Sequence, residues 1–181
     1  MNLHPAGLSD RFSGMGVADV ILVVAMALTA LVAAVTDVRR QKIYNWLTYP
    51  ALLFGLVVQA IGHGWGTIFG LGLVSALSGA LFCGVVFGVF AYWRRGFGMG
   101  DVKLLAALGA QAGLLPVLYL VMFATLLGAL LSLLWVGVGL IRGGGNPDPA
   151  GSGLPRVPYA VAIALGTLAA IAVRLDWLHL P

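Results

Sequence analysis

The feature that most constrains this chain is a series of apolar stretches, several of them about as long as a helix that crosses a bilayer. The first covers residues 17–36 and contains one charged side chain, Asp19. A helix needs about 20 predominantly apolar residues to span the hydrocarbon core. Only 9% of the 181 residues are charged, against about 25% in soluble domains. The chain is therefore predicted to be an integral membrane protein.

Six apolar stretches predict an all-α, polytopic protein with about six transmembrane helices in a single domain, 1–181. The second and fourth stretches are short, and we expect them to be tilted or to cross incompletely. A Gly- and Pro-rich segment, 143–155, is predicted to be a flexible cytoplasmic loop. The predicted spans are 17–36, 47–61, 67–93, 101–115, 116–141 and 157–173.

The basic residues are concentrated in alternate connections between these stretches. Cytoplasmic loops of membrane proteins carry an excess of Lys and Arg, so the first, third and fifth connections are predicted to face the cytoplasm and both termini to face outward. The formal charge of +4 then reflects membrane topology rather than binding to nucleic acid. The basic residues concerned are Arg39, Arg40, Lys42, Arg94, Arg95, Arg142 and Arg156.

Small and thiol side chains inside the spans are expected to serve packing. Glycines four residues apart let membrane helices approach backbone to backbone, and we expect contacts of this kind within the molecule. Cys83 is the only cysteine, which excludes an internal disulfide and a multi-cysteine metal site. The glycine pairs are Gly66 and Gly70, Gly84 and Gly88, and Gly109 and Gly113.

Two aspartates are singled out, because an ionisable group at a membrane boundary is costly and is a functional hypothesis by default. Asp37 closes the first span and Asp101 opens the fourth, so the predicted topology puts both at the cytoplasmic boundary. Asp101 could instead be only an N-cap, and Asp37 could be held in an ion pair by Arg39, Arg40 or Lys42. The other acidic residues and His63 lie in loops or near span ends, where no special role is needed.

If the two carboxylates meet, they fit the chemistry of an aspartic protease. Two close carboxylates share one proton, so that one can activate water while the other polarises a carbonyl. The helix dipoles predict that Asp101, at a helix N-terminus, ionises more readily than Asp37, at a C-terminus. Glycines at 96, 98 and 100 would let a backbone or an extended substrate come close to Asp101.

These residues resemble the type IV prepilin peptidases, membrane aspartic proteases with a GxGD motif, and are most similar to their small Flp/Tad members. The first motif is Asp37 followed by KIYNWLT at 42–48, and the second is GMGDVKL at 98–104. A weaker third motif is PYAVAI at 158–163. The chain departs from the family pattern at Tyr44, where Pro is common, and at Ala160, where Gly is frequent.

The resemblance implies the GxGD protease fold, with Asp37 and Asp101 as the catalytic pair. The enzyme would lie in the bacterial inner membrane and cut prepilins on the cytoplasmic side, after a Gly that ends a short basic leader. Its partners would be the prepilin, membrane lipid and the pilus assembly machinery. An archaeal preflagellin peptidase would use the same chemistry. The motif residues expected to support the site or bind substrate are Gly98, Gly100, Lys103, Asn45 and Pro158.

Larger family members carry paired cysteines in an extra cytoplasmic segment and also methylate the cleaved pilin. With only Cys83, this chain is expected to lack methyltransferase activity and to use no metal, S-adenosylmethionine or other cofactor. Two alternatives remain. A six-span substrate-binding subunit of a vitamin or metal transporter would place polar groups at a pocket near the outer face or the midplane. In a purely structural assembly protein, the two aspartates would be incidental.

Overall fold

The structure, a computed structural model, describes residues 16–40, 42–93, 98–141 and 159–177. Within this part of the chain all regular structure is helical, which confirms the predicted fold class. The predicted loop 143–155 lies outside the described residues, as do Arg94, Arg95, Arg142 and Arg156. The six helices are α1 (Val17–Arg40), α2 (Asn45–His63), α3 (Leu73–Trp93), α4 (Met99–Ala112), α5 (Leu114–Ile141) and α6 (Tyr159–Trp177).

Four of the described helices are long and apolar enough to cross a membrane. They are α1, α2, α3 and the Leu114–Leu131 part of α5. The second predicted stretch is longer than expected, because α2 has 19 residues. The fourth is short as expected, since the 14 residues of α4 extend only about 21 Å at 1.5 Å per residue. The protein is thus a polytopic membrane protein built around one short helix.

The short helix α4 is the centre of the bundle and contacts each of the other five described helices. Most of its length from Val102 onward is buried. Leu104, Leu105 and Leu108 belong to the core, together with apolar side chains from α1, α3, α5 and α6. This surrounding packing fixes the position of the N-terminus of α4, which carries Asp101.

The chain turns sharply from α4 into α5 at Gly113, two residues before the predicted boundary. Gly113 has φ +85°, in the left-handed region that favours glycine. Its N–H donates to the Gly109 carbonyl and closes α4. Pro116 is the third residue of α5, where a missing N–H costs nothing because it has no helical acceptor.

A buried polar cluster that the sequence did not predict surrounds this end of α4. The Gln111 amide Nε2 donates to the Ala51 carbonyl at 3.0 Å and to Thr29 Oγ1 at 3.3 Å. The Gln59 amide donates to the Gln111 carbonyl at 3.2 Å, and Gln59 Oε1 accepts from the Gly72 N–H at 3.1 Å. Two of these bonds satisfy backbone groups near helix ends, the Gln111 carbonyl and the Gly72 N–H, which would otherwise be costly to bury. The cluster therefore fixes the C-terminal end of α4, a helix that is too short for a full span.

Of the three glycine pairs, only the one formed by Gly109 and Gly113 makes the expected close contact between helices. The residue that Gly109 contacts, Gly79, was not among the predicted glycines. A Cβ on Gly109 of α4 would lie 2.5 Å from the carbonyl oxygen of Gly79 of α3, so the two backbones touch. Gly66 and Gly70 do not pack helices, because residues 64–72 form a loop and α3 begins only at Leu73. The predicted start of the third span at residue 67 is therefore wrong by six residues.

Candidate active site

Asp37 lies in the last turn of α1 and is held by the first turn of α6. Its Oδ2 accepts a hydrogen bond from the backbone N–H of Ala160 at 3.2 Å. The first N–H groups of a helix have no partner within the helix and favour negative charge. Among the described residues, Arg39, Arg40 and Lys42 form no ion pair with Asp37. The ion pair considered for Asp37 is therefore not formed by these residues. Asp37 is instead bound by a residue 123 positions away in sequence.

Asp101 lies in the first turn of α4 but does not cap the helix. The N-cap position is Gly98, with φ −70° and ψ 127°, and no side chain makes a capping hydrogen bond there. The Asp101 backbone N–H donates to the Gly98 carbonyl at 3.0 Å. Capping therefore does not explain the presence of a carboxylate at this position.

One cavity of about 370 Å³ brings the two aspartates together, although they are 64 positions apart in sequence. Its walls come from the end of α1, the connection to α2 and the start of α4. We call it the acidic cavity. Such a space accommodates several water molecules or a short stretch of extended peptide. It is lined by Asp37, Lys42, Ile43, Tyr44, Asn45, Gly98, Gly100 and Asp101.

The surroundings of Asp101 favour its protonated form. Burial and, second, the negative charge of Asp37 raise the pKa of Asp101 from 3.8 to about 6. Asp101 lies at the N-terminal end of the short helix, which is not one of the four candidate spans. The direction of the shift is opposite to the one that the helix dipole predicts. Desolvation of the carboxylate outweighs the partial positive charge of the helix N-terminus.

This pKa predicts a pH-dependent effect of Asp101→Asn on stability. A folded-state pKa above the unfolded one means that the folded chain binds more protons between pH about 4 and 6. Wild-type stability therefore falls as pH rises through this window, by about 3 kcal/mol at most. Asparagine does not titrate, so the melting temperature of the variant is expected to rise relative to wild type between pH 4 and pH 7. A difference that stays constant with pH, measured in detergent, would contradict the assigned pKa.

The two motif glycines that precede Asp101 both make close contacts. A Cβ on Gly98 would lie 3.0 Å from Asp101 Oδ2, and a Cβ on Gly100 would lie 3.1 Å from the Cβ of Ile43. At Gly100, therefore, the closely approaching group is this chain's own connection between α1 and α2. Both glycines leave room for side chains that line the acidic cavity.

Lys103 and Asn45 join α4 to α2 beside the acidic cavity. Lys103 Nζ donates to Asn45 Oδ1 at 2.9 Å and lies 5.4 Å from the centre of the Tyr49 ring. Lys103 does not line the cavity, whereas Asn45 does. The hydrogen bond between these two residues therefore links the N-terminal ends of α4 and α2.

Two contributors to the site were not predicted from the sequence, although both lie within the motif at 158–163. The Ala160 N–H binds Asp37, and the Tyr159 hydroxyl interacts with the charge of Asp101 and with Thr125. A backbone donor leaves no signal in residue identity, although Tyr159 belongs to the motif and could have been selected. Pro158 lies outside the described residues.

The remaining described acidic residue near a helix start, Asp19, is at the opposite end of α1. Its Oδ1 lies 3.4 Å from His63 Nε2, a pairing that the sequence did not predict. This contact joins the start of α1 to the end of α2, far along both helices from the acidic cavity. Within the described ranges no three metal-binding side chains are grouped together.

Sequence comparison relates the chain to one family. The profile of the type IV leader peptidase family matches residues 24–133. A protein of Burkholderia pseudomallei (strain 1026b), named prepilin leader peptidase/N-methyltransferase, is 33% identical over 167 residues, which are 90% of this chain and 50% of that protein. A protein of the same name from Pseudomonas putida is 32% identical over 165 residues, 85% of this chain and 50% of that protein.

A third protein of that name, from Pectobacterium carotovorum subsp. carotovorum, is 34% identical over 112 residues, 60% of this chain and 39% of that protein. The chain spans about half the length of the curated relatives it matches first. No solved structure matches it. The matched range contains both aspartates, and it favours a peptidase over a transporter subunit or an assembly protein.

Proposed function

The chain belongs to the type IV leader peptidase family, and we propose that it is an aspartic endopeptidase that cleaves the leader from type IV prepilins. The observation that carries the proposal is the meeting of Asp37 and Asp101 in the acidic cavity. Both lie where apolar helices end, so a peptide can reach them from water while its hydrophobic part stays in the membrane. We place the site on the cytoplasmic side of the inner membrane, on the charge asymmetry of the connections.

In the proposed mechanism Asp37 is the base and Asp101 the acid. The Ala160 N–H can only donate, so it holds Asp37 Oδ2 as an acceptor, and the raised pKa of Asp101 suits the shared proton. Asp37 takes a proton from water as the hydroxyl adds to the scissile carbonyl carbon, and Asp101 gives its proton to the carbonyl oxygen. Collapse of the tetrahedral species breaks the C–N bond as the proton on Asp37 passes to the leaving nitrogen. One hydroxyl of the species returns its proton to Asp101, which forms the new carboxyl group and restores the starting state of the pair.

The proposed substrates are Flp/Tad-type prepilins, cut after the glycine that ends the basic leader. Membranes carrying the chain are expected to convert a Flp-type prepilin to one product, whose first residue is the one after that glycine. A matched substrate with isoleucine in place of that glycine should be cut at least tenfold more slowly. Equal cleavage of both substrates, or cleavage at another bond, would contradict the proposed specificity. N-terminal sequencing of the product makes the distinction.

We further propose that this chain does not methylate the pilin that it cleaves. Its only cysteine, Cys83, is buried in α3, so the sequence offers no paired cysteines of the kind expected in the larger members. After incubation with prepilin and labelled S-adenosylmethionine, the new pilin N-terminus is expected to carry no label. A labelled N-terminus would contradict this part of the proposal without affecting the peptidase assignment.

Lys103 is proposed to position α4 against α2 rather than to take part in the chemistry. Lys103→Met removes the ammonium group and its bond to Asn45, which is worth about 1 kcal/mol. We expect cleavage to slow by about five- to tenfold with an unchanged pH profile, and Lys103→Arg to recover most of the rate. A shifted pH profile in Lys103→Met would instead place Lys103 in the reacting network.

A further inference from the structure

A second cavity, of about 380 Å³, lies beside the acidic cavity at the corner between α1 and α2. We call it the arginine cavity. Tyr44 belongs to both cavities, whereas the two aspartates line only the acidic one. The proposed cleavage mechanism makes no use of this second space. It is lined by Val35, Thr36, Arg39, Arg40, Tyr44 and Trp46.

The polar side of the arginine cavity is suited to an anion. Arg39 and Arg40 contribute two guanidinium groups, and neither is neutralised by an ion pair in the described part of the chain. Arg40 Nη1 donates to the Tyr44 hydroxyl at 3.3 Å, which leaves its other N–H groups available. Guanidinium groups bind phosphate in a bidentate manner and are less strongly hydrated than ammonium groups.

The apolar side of the cavity continues along the membrane-facing surface of α1. Val35 lines the cavity, and below it Leu31 and Leu28 are also exposed, at spacings of four and three residues. Residues with these spacings lie on one face of a helix. Trp46, which also lines the cavity, is 65% exposed, and tryptophan is enriched at membrane–water interfaces. An apolar strip thus leads away from the corner that carries the two arginines.

We propose that the arginine cavity binds the headgroup of an anionic phospholipid, with an acyl chain lying along Val35, Leu31 and Leu28. Charge complementarity and the continuous apolar strip both match an amphipathic anion that is anchored in the membrane. A free phosphate would not use the strip, and a basic peptide would be repelled by the two arginines. The inference depends on membrane insertion and not on the proposed peptidase activity.

Binding of a headgroup there would also order the acidic cavity. Tyr44 lines both spaces, and the adjacent Ile43 lies against Gly100 at the start of α4. Fixing Arg40 and Tyr44 would hold the connection between α1 and α2 in the position that forms this wall. An anionic lipid is thus expected to stabilise the folded chain.

The test measures lipid binding to the purified 181-residue chain in a neutral detergent after removal of native lipid. Phosphatidylglycerol is titrated, and binding is followed by native mass spectrometry and by melting temperature. We expect one retained phosphatidylglycerol and a rise in melting temperature, and at least tenfold weaker binding of phosphatidylcholine. Arg39→Gln and Arg40→Gln should each weaken phosphatidylglycerol binding about fivefold, as expected for loss of one basic group near a membrane surface.

Lys42→Gln is the matched control, because it removes the same charge from a position two residues beyond Arg40 that does not line the arginine cavity. It should weaken binding less than twofold, and Arg39→Lys should retain most of the affinity. An equal effect of Lys42→Gln would show diffuse attraction and overturn the site. Equal binding of phosphatidylcholine, or equal stabilisation by glycerol phosphate, would also overturn the assignment to an anionic lipid. Melting temperatures without added lipid confirm that each variant is folded.

Discussion

Replacing either Asp37 or Asp101 with asparagine is expected to reduce prepilin cleavage by about 10³-fold or more. General acid–base groups each contribute about 10²- to 10⁴-fold to the reaction rate. After loss of either aspartate, the two carboxyl groups can also no longer share a proton. Asparagine keeps the shape of the side chain, so the bundle should still insert and fold. Cleavage is measured in membranes, with the amount of each inserted variant determined by immunoblotting.

Asp19→Asn is the matched control for these two variants. Asp19 is also a carboxylate in a terminal turn of α1, but it lies at the start of that helix, far from Asp37. There it pairs with His63, the last residue of α2. Its replacement is expected to leave the cleavage rate within about threefold of wild type. Normal cleavage by Asp37→Asn or Asp101→Asn would show that the pair is structural. An equal loss in all three variants would indicate a general effect of removing carboxylates from the bundle.

Replacing Gly109 with alanine is expected to destabilise the whole bundle. The added Cβ would lie 2.5 Å from the Gly79 carbonyl oxygen and 2.7 Å from its carbonyl carbon. The contacted atoms are backbone, so α3 and α4 must move apart rather than a side chain rotate. Overpacking of this kind typically costs 1 to 3 kcal/mol, and we expect the upper end of that range or more. Because α4 contacts every described helix, the loss should appear in the global melting temperature.

Gly84→Ala provides the matched control for packing between α3 and α4. A Cβ at Gly84 would lie 3.9 Å from the Cβ of Ala106, an ordinary contact, and alanine favours helix over glycine by about 1 kcal/mol. This variant should melt at or above the wild-type temperature. If Gly109→Ala melts no lower than Gly84→Ala, the close approach of the two helices is not present in the protein.

The all-helical fold could be predicted because long apolar stretches leave few structures that satisfy the backbone in a membrane. Because charged residues are scarce in this sequence, Asp37 and Asp101 could also be selected as candidate site residues. Their meeting in one cavity was only a possibility in the sequence, since it depends on how α1 and α4 pack. The catalytic roles of both residues, and the supporting roles of Gly98, Gly100, Lys103 and Asn45, stay predictions.

Other features could not be predicted, because they depend on contacts between distant segments. Gln59 and Gln111 look like isolated polar residues in the sequence but bind each other across 52 positions. The Ala160 N–H reaches Asp37 across 123 positions, and a backbone donor has no residue signature. Burial raises the pKa of Asp101 against the effect of the helix dipole, and the sequence does not reveal how deeply a side chain is buried.

The proposed cleavage of prepilin leaders by Asp37 and Asp101 is tested most directly by a reconstituted reaction. The purified chain and a panel of Flp-type prepilins are placed in liposomes, and the products are identified by intact-mass spectrometry. We predict one cut, after the glycine at the end of the leader, and no product with a folded Asp37→Asn/Asp101→Asn double variant. Equal cleavage by the double variant, or intact prepilins after incubation with folded wild-type chain, would contradict the claim.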